Sequence, residues 1–383
     1  MSDFLSRARI LDLLEGLVGI PSANPTLVPD QPDGEAAVAE FARDWLEAAG
    51  VEAWLEEVTP GRPNVVARVG AESGPTLVLC GHIDTVAGSG MEIPPFEPTV
   101  DGSRLYGRGA YDMKCGVAAA MSAVAALCRE SAPPSCLLAL VVDEEYASLG
   151  ASHFVANHTA DACILTEPTE GALVTAHKGF VWAELSTQGV AAHGSRWDEG
   201  VSAIARMAPI ISELERHDRE ELRARLHPLV GPASLHASMI EGGSGISTYA
   251  SECRLKVERR TLPGEAVDDV LAEIIAVAAR SGQPVKVEAI LDRPPMQCDS
   301  DAPVVRIVRQ VISELKGASP AEEGVEYWTD AALFSAAGIP AINYGPSGDG
   351  AHAAVEWVDI DSVVDCARVL AESARRFGSG QIE

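Results

Sequence analysis

Several segments of the sequence follow an apolar run with side chains that bind metal ions. The run LVLCG leads to His82 and Asp84, CLLALVV leads to the acidic triplet 143–145, and ACILT leads to Glu167. Asp112 ends the glycine-rich stretch LYGRGAYD. A carboxylate directly after a buried strand is costly unless it is paired or binds a cation. Each residue taken alone is more often structural, but together they predict a metal site.

Two further motifs refine this prediction. His352 lies in the glycine-rich segment GDGAH and adds an imidazole to the set. The stretch GRGAYD imitates the start of a dinucleotide-binding motif, but its sixth position is Asp112, whose charge would repel a pyrophosphate. The sequence also contains no H-E-x-x-H, G-x-S-x-G or P-loop motif. We therefore expect a metal centre and not a dinucleotide site.

The surrounding sequence predicts an α/β sheet that positions these side chains. From residue 35 to 165, helical patterns such as GEAAVAEFARDWLEAAG alternate with short apolar strands such as NVVARV and TLVLC. Near-continuous apolar strands between helices indicate a sheet covered on both faces, which is a three-layer α/β domain. Strand ends in such sheets converge on one crevice.

A second pattern begins after residue 175. Apolar and polar residues alternate in segments such as SECRLKVERR, which is typical of strands with one solvated face. The order β-α-β-β-α-β is the split βαβ arrangement of ferredoxin-like α+β domains. Helix and strand alternation resumes after Pro294 and Pro295. We therefore expect one α/β domain, 1–175 and 294–383, interrupted by an inserted α+β domain, 176–293.

Composition restricts the partners of the chain. A formal net charge of −27 over 383 residues argues against nucleic acid and anionic membranes as partners, because both need a basic face. The eight cysteines form no C-x-x-C pair, which favours reduced thiols in a cytoplasmic protein. The amino-terminal segment has the pattern of an amphipathic helix and not of a signal peptide, and no apolar run reaches membrane-spanning length.

The motifs GHIDTV, GRGAYDMKCG, VVDEEYASLG, LTEPT, AAHGS and GDGAH, in this order, resemble the M20 metallopeptidase family. This family includes acetylornithine deacetylase, succinyl-diaminopimelate desuccinylase, aminoacylases and carboxypeptidase G. The resemblance extends over nearly the whole chain. It implies a zinc-peptidase catalytic domain with an inserted lid and dimerisation domain, two zinc ions that share one carboxylate, and a cis peptide after Asp112. Cobalt or manganese are alternative metals.

The resemblance also implies a ligand set. His82 and Glu167 would bind one ion, and Glu145 and His352 would bind the other. Asp112 would bridge the two. Each ion then keeps a position for water, as catalytic zinc sites require.

Three residues are expected to take part in catalysis by the same resemblance. Asp84 would accept the second ring N–H of His82 and so orient that imidazole. Glu144 would be the general base. His193, in the inserted domain, would reach the site of a partner subunit in a homodimer and donate to the oxyanion.

The substrate-binding residues implied are Arg260, Thr329, Asp330 and Gly345. Arg260 matches the arginine that holds the substrate carboxylate, with its neighbour Arg259 as the rival. The stretch GGSGISTYASEC lacks the asparagine and proline found here in many relatives, so its substrate contacts are expected to differ.

The expected function is hydrolysis of the amide bond of an N-acyl amino acid by a dizinc enzyme. Several deacylases of the family have glutamate at the position that matches Glu167 and several of its peptidases have aspartate, so the resemblance favours deacylation. The alternatives are a dipeptidase or carboxypeptidase of the same family, a metal-binding protein without catalysis, and a structural protein with a buried acidic cluster. The last predicts no change in stability on chelation, whereas a metal site should stabilise the fold.

Overall fold

The computed structural model describes residues 3–29, 34–71 and 74–380. Its helices are α1 Arg7–Val18, α2 Gly34–Ala48, α3 Lys114–Cys128, α4 Leu149–Asn157, α5 Ala203–Glu220, α6 Val267–Ala279, α7 Pro303–Lys316, α8 Ala331–Ala336 and α9 Ile360–Gly378, with short 3-10 turns at Asp3–Leu5 and Leu222–Ala224. Its strands are β1 Glu52–Thr59, β2 Arg62–Val69, β3 Leu77–His82, β4 Thr99–Asp101, β5 Arg104–Tyr106, β6 Cys136–Val141, β7 Ala162–Leu165, β8 Leu173–His177, β9 Gly179–Gln188, β10 Leu226–His227, β11 Gly231–Pro232, β12 Ser234–Gly242, β13 Glu252–Thr261, β14 Lys286–Arg293, β15 Met296–Gln297, β16 Glu322–Val325, β17 Ala341–Asn343, β18 Gly348–Asp349 and β19 Trp357–Asp359. In these ranges no helix combines the length and apolarity needed to cross a membrane.

The chain divides into two compact units. The first comprises 1–175, 298–323 and 329–383, and the second comprises 176–297 and 324–328. The sequence pattern assigns 294–297 and 324–328 to the α/β domain, whereas both lie in the second unit. Of these two, 324–328 is a separate short segment. The carbonyl of Val325 accepts the N–H of Lys178, and the indole of Trp328 donates to the carbonyl of Pro294, so the segment is tied to the second unit.

The first unit is built on a mixed sheet with the order β1-β2-β6-β3-β7-β17-β8. Strands β6, β3, β7 and β17 are parallel neighbours, while β1, β2 and β8 pair antiparallel with theirs. Every residue of β3, β6 and β7 is buried, as expected for strands covered on both faces. The α/β fold class expected from the sequence is confirmed.

Helices cover this sheet in groups. Helix α3 is buried along almost its whole length because its alanine-rich sequence lets it pack closely, and it contacts α1 and α9. Helices α4 and α8 contact each other, and α2 packs on β1 and β2. A second, smaller sheet with the order β18-β19-β5-β4 lies in the same unit.

The second unit contains an antiparallel sheet with the order β12-β13-β9-β14. In chain order its elements run β9-α5-β12-β13-α6-β14, the split βαβ arrangement. Burial alternates along β9 and β13, because one face of the sheet packs on α5 and α6. The central core residues from these two strands are Val181, Ala183, Leu185, Cys253, Leu255 and Val257.

Candidate metal centre

The candidate ligands come from adjacent strand ends in the first unit. Strands β6, β3 and β7 lie side by side and parallel, so their carboxyl ends meet at one edge of the sheet. His82 is the last residue of β3, the turn 143–145 follows β6, and Glu167 follows β7. This is the edge at which open α/β sheets collect ligands.

The structure brings all five predicted ligands together in two clusters that share Asp112. In the first, Nε2 of His82 lies 3.3 Å from Oδ1 of Asp112 and 3.9 Å from Oε1 of Glu167. In the second, Nε2 of His352 lies 3.3 Å from Oδ2 of Asp112 and 3.0 Å from Oε2 of Glu145. The two carboxylate oxygens of Asp112 therefore face different imidazoles, as a bridging ligand requires.

The donor set fits two divalent cations. In each cluster one imidazole nitrogen and two carboxylate oxygens lie within 4.8 Å of one another. Three protein donors leave room for a water or substrate atom, which is the pattern of catalytic and not of structural sites. Mixed nitrogen and oxygen donors suit zinc and also accept cobalt or manganese.

Asp112 precedes α3 and is held by its backbone. One carboxylate oxygen of Glu356 accepts the N–H groups of Tyr111, at 2.9 Å, and Asp112, at 3.0 Å. The other oxygen accepts from the Arg108 guanidinium at 2.6 Å, and both side chains of this ion pair are buried. The peptide between Asp112 and Met113 is cis, which confirms the expectation from the resemblance.

His82 is oriented by Asp84 through two different oxygens. Its Nδ1 lies 2.9 Å from the backbone carbonyl oxygen of Asp84 and 3.5 Å from the carboxylate Oδ1. A carbonyl only accepts, so Nδ1 carries the proton and Nε2 is left to bind a cation. The carboxylate of Asp84 instead accepts the backbone N–H groups of Glu144, at 3.1 Å, and Glu145, at 3.2 Å.

Glu144 lies beside the clusters, with Oε2 at 4.0 Å from Nε2 of His82. Burial raises its pKa well above the usual range for glutamate, and burial also raises the pKa of Glu167 to about 8. Hydrogen bonds that His352 donates to the carboxylates of Asp112 and Glu145 raise the pKa of its imidazole to about 10. Carboxylates packed this closely repel one another, and a bound cation would stabilise their charged forms.

His193 and the candidate arginines belong to the second unit. His193 is exposed, and its Nδ1 lies 2.9 Å from Oγ of Ser195. Arg259 is fully buried, with its guanidinium 2.7 Å from a Glu265 oxygen. Arg260 keeps about a third of its side chain exposed, at 34%. Only Arg260 of this pair can therefore meet a ligand from solvent.

A cavity of about 580 Å³ within the second unit contains Arg260. Lys178 also lines it, and the sequence analysis did not single this residue out. The Lys178 ammonium lies 3.0 Å from a Glu326 carboxylate oxygen, and its side chain is only 6% exposed whereas that of Glu326 is 77% exposed. Arg260 is likewise paired with Glu258, so each of these two cations has a carboxylate partner in the same unit.

The other predicted substrate-binding residues lie in the first unit and are buried. Thr329 donates to Oδ1 of Asn343. The negative charge of Asp330 adds to the effect of burial in raising the pKa of Glu144. A Cβ at Gly345 would lie 2.0 Å from the carbonyl oxygen of Glu167, so only glycine lets the backbone at 345 pack this closely against the backbone of Glu167.

Sequence reasoning missed the residues that hold the ligands in place. They are Asn24, Glu35, Arg62, Asp143, Glu356 and its partner Arg108. Glu356 could have been found, because it follows His352 by four residues in the same motif. The others are separated from their partners by 27 to 248 residues, and no local pattern marks these contacts.

Comparison with known proteins gives matches over the whole chain. The chain is 28% identical over 380 residues to the acetylornithine deacetylase of Vibrio cholerae, covering 96% of this chain and 98% of that protein. It is 31% identical over 359 residues to the acetylornithine deacetylase of Myxococcus xanthus, covering 89% of this chain and 92% of that protein.

Solved structures share the fold. An M20 family metallo-carboxypeptidase from Sulfolobus solfataricus superposes with a TM-score of 0.79 at 19% identity, covering 99% of this chain and 100% of that chain. A dinuclear metal-binding peptidase of the M20 family from Bacillus subtilis gives a TM-score of 0.74 at 18% identity, covering 97% and 98%.

The family assignment rests on the sequence itself. The profile of peptidase family M20/M25/M40 matches residues 78–376, which include every ligand of the two clusters. The chain therefore belongs to peptidase family M20/M25/M40 and is a metal-dependent amidohydrolase.

Proposed function

We propose that this protein hydrolyses the amide bond of an N-acyl amino acid at a dinuclear metal centre, with Glu144 as the general base. The observation that carries the proposal is the pair of donor clusters joined by Asp112, with the carboxylate of Glu144 beside them and not among the ligands. The products are a carboxylate and a free amino group.

In the proposed reaction Glu144 transfers the proton and Asp84 holds the backbone that carries this glutamate. Two bound cations would polarise the amide carbonyl and lower the pKa of the attacking water. Glu144 takes a proton from that water as the oxygen attacks the carbonyl carbon, and then gives it to the amine nitrogen as the C–N bond breaks. Asp84 holds the backbone of Glu144 and Glu145 throughout.

Zinc is the proposed working metal, with cobalt and manganese as alternatives. Each cluster offers one imidazole and two carboxylates, and both ligand types bind zinc. Selection among these metals depends on availability as well as affinity.

The proposed substrate class rests on the relatives and on the cavity of the second unit. Relatives that match over almost the whole chain are named acetylornithine deacetylases, which supports an N-acyl amino acid as substrate. Arg260 and Lys178 in the cavity would bind the α-carboxylate of that amino acid. Thr329, Asp330 and Gly345 would support the wall next to the metal ligands.

The proposed assembly is a homodimer formed through the second unit, with His193 donating to the oxyanion in the partner's site. Strand β12 is an edge strand and presents Met239 and Ile240, each 54% exposed. Trp197, at 79%, and Ile246 add exposed apolar surface to the same unit. Surface of this kind is typical of a protein interface. The eight unpaired cysteines support a reducing, cytoplasmic location.

A substrate panel tests the proposal. Amine release is measured from N-acetyl, N-succinyl and longer N-acyl amino acids and from dipeptides, with zinc or cobalt supplied, and Glu144→Gln is the matched inactive control. Turnover of acyl amino acids that the control abolishes supports the deacylase. Turnover of dipeptides alone would replace it with a peptidase, and metal binding without any turnover would refute hydrolysis.

A further inference from the structure

The residue directly before the proposed base has an unusual backbone conformation. Asp143 has φ 70°, in the left-handed region that favours glycine, and it is followed by Glu144 and Glu145. Such a conformation costs free energy and persists only where surrounding contacts enforce it. The contacts that enforce it here are all within the described part of the first unit.

The Asp143 carboxylate is anchored by two donors, the half-buried Arg62 and the buried Asn24. Its Oδ1 accepts from Nη2 of Arg62 at 2.7 Å and from Nδ2 of Asn24 at 3.0 Å. Arg62 is held in turn by the buried carboxylate of Glu35, with Nη2 to Oε1 at 2.7 Å and a second contact from Nε. The same Glu35 oxygen accepts the backbone N–H of Asp143 at 3.1 Å.

Asn24 also links Asp143 to Asp84, which holds the following two residues of the turn. Nδ2 of Asn24 lies 2.8 Å from Oδ2 of Asp84, so one amide group joins the carboxylates of Asp84 and Asp143. Asp84 accepts the N–H groups of Glu144 and Glu145. Each backbone N–H group of residues 143 to 145 therefore donates to a buried carboxylate.

This arrangement has a consequence for the two adjacent glutamates. Glu145 must face the second metal cluster while Glu144 faces the attacking water, so the backbone between them has to hold two carboxylates in different directions. Two fully buried carboxylates, Glu35 and Asp143, share the half-buried guanidinium of Arg62, and this is an expensive way to stabilise a fold because the two carboxylates lose their hydration. The guanidinium of Arg62 holds several N–H groups in one fixed plane, which suits it to fixing the conformation of a turn.

We propose that Arg62 and Asp143 are positioning residues for the reaction: with Glu35 and Asn24 they hold the strained turn that aims Glu144 at the substrate. This inference rests on the proposed role of Glu144 as the base. None of the four residues contacts the candidate metal ligands except through Asp84 and the turn itself.

Three substitutions at Asp143 and Arg62 separate positioning from general stability. Asp143→Gly removes the carboxylate but accepts φ 70° without strain, so any loss comes from the missing anchor. Asp143→Asn keeps an acceptor oxygen and also tolerates the left-handed region. Arg62→Gln removes the guanidinium. Arg43→Gln is the control, because Arg43 forms a surface ion pair with Asp44 on the same helix that carries Glu35.

We expect Asp143→Gly and Arg62→Gln to lower kcat by about 10- to 100-fold, the usual effect of losing a residue that orients a catalytic group. KM and the number of bound metal ions should stay near wild type, Asp143→Asn should recover most of kcat, and Arg43→Gln should match wild type. The amide hydrogens of Glu144 and Glu145 should exchange faster in Asp143→Gly than in wild type, in the metal-free protein as well as the loaded one.

Wild-type kcat and unchanged amide exchange in Asp143→Gly would overturn the inference. A fall in bound metal that parallels the fall in kcat would also overturn it, since the residues would then build the metal site and not aim the base. If the wild-type enzyme cleaves no amide, the proposed function fails, and the exchange measurement still decides whether Asp143 and Arg62 order the turn.

Discussion

At the scale of single residues, the shared carboxylate of Asp112 determines how the two clusters depend on each other. Its two oxygens face His82 and His352 respectively, so it is the only ligand common to both clusters identified in the described residues. Removing it should therefore affect both metal ions, whereas removing any other ligand should affect one.

Substitution of ligands should change metal stoichiometry in this pattern. We expect Asp112→Ala to weaken both sites and His352→Ala to weaken only the second, so that the chain retains one tightly bound ion. Metal content after dialysis, measured by mass spectrometry, distinguishes them, with the exposed Asp101→Ala as control. Equal metal loss in both variants would contradict a bridging role for Asp112.

Metal binding should release protons at neutral pH. The pKa of His352 is raised to about 10 by hydrogen bonds that its imidazole donates to the carboxylates of Asp112 and Glu145, so below that pH the imidazole is mostly protonated in the metal-free protein. A bound cation needs the neutral imidazole, so protons compete with metal and affinity should fall as pH falls. Calorimetry in buffers of different ionisation enthalpy measures the proton release, and no release at pH 7 would contradict it.

The clustering of the candidate ligand residues could be predicted from the sequence, but the residues that hold them in place could not. His82, Glu145 and Glu167 follow apolar strands, and strand ends in α/β sheets converge. The His82 ring lies closer to the carbonyl oxygen of Asp84 than to its carboxylate, and this depends on the local path of the chain. The contacts of Asn24 and Arg62 join residues far apart in sequence, which no motif encodes.

At the scale of elements, the strand ends of the sheet and the loop before α3 bring the candidate metal ligands together. The carboxyl ends of β3, β6 and β7 meet at one edge of the sheet, and the loop before α3 places Asp112 beside the candidate ligands there. That loop is held by Glu356, which accepts the backbone N–H of Tyr111 and forms a buried ion pair with Arg108.

Disrupting this ion pair should destabilise the protein and impair metal binding. Removing one partner of a buried pair leaves an uncompensated charge and costs about 3–5 kcal/mol. We therefore expect Glu356→Ala to lower the free energy of unfolding by this amount and to weaken both metal sites, because the backbone of Asp112 loses its acceptor. Denaturant unfolding of the metal-free protein measures the first effect, and Glu97→Ala, at an exposed site, is the control.

A stability close to wild type in Glu356→Ala would show that solvent or another group replaces the carboxylate. The result would contradict the account of how the loop is held.

At the scale of the whole molecule, the two units have separate tasks. The first carries the metal ligands, and the second carries His193, Arg260 and Lys178. The change from fully apolar to alternating strands identified the inserted unit from the sequence. The segment 324–328 was missed because it is short, and its assignment depends on hydrogen bonds to Lys178 and Pro294.

Mixing two inactive variants should restore activity if His193 acts on the partner's site. A heterodimer of His193→Ala and Glu144→Gln chains has one site with both defects and one with neither. An equal mixture after subunit exchange should therefore recover about a quarter of wild-type activity, since half the dimers are mixed. Activity assays on mixtures that had first been dissociated test this, and each variant assayed alone is the control.

No recovery in a mixture shown to contain heterodimers would place His193 in its own subunit's site or outside the reaction.

The central claim is that the two clusters bind metal for hydrolysis with Glu144 as the base. The most direct measurement is a titration of the metal-free protein with zinc or cobalt, following bound metal and amine release from an N-acetyl amino acid in wild type and Glu144→Gln. We predict two bound ions per chain in both proteins, with turnover only in wild type. Failure of the wild-type chain to bind metal, or turnover by Glu144→Gln at the wild-type rate, would contradict the account.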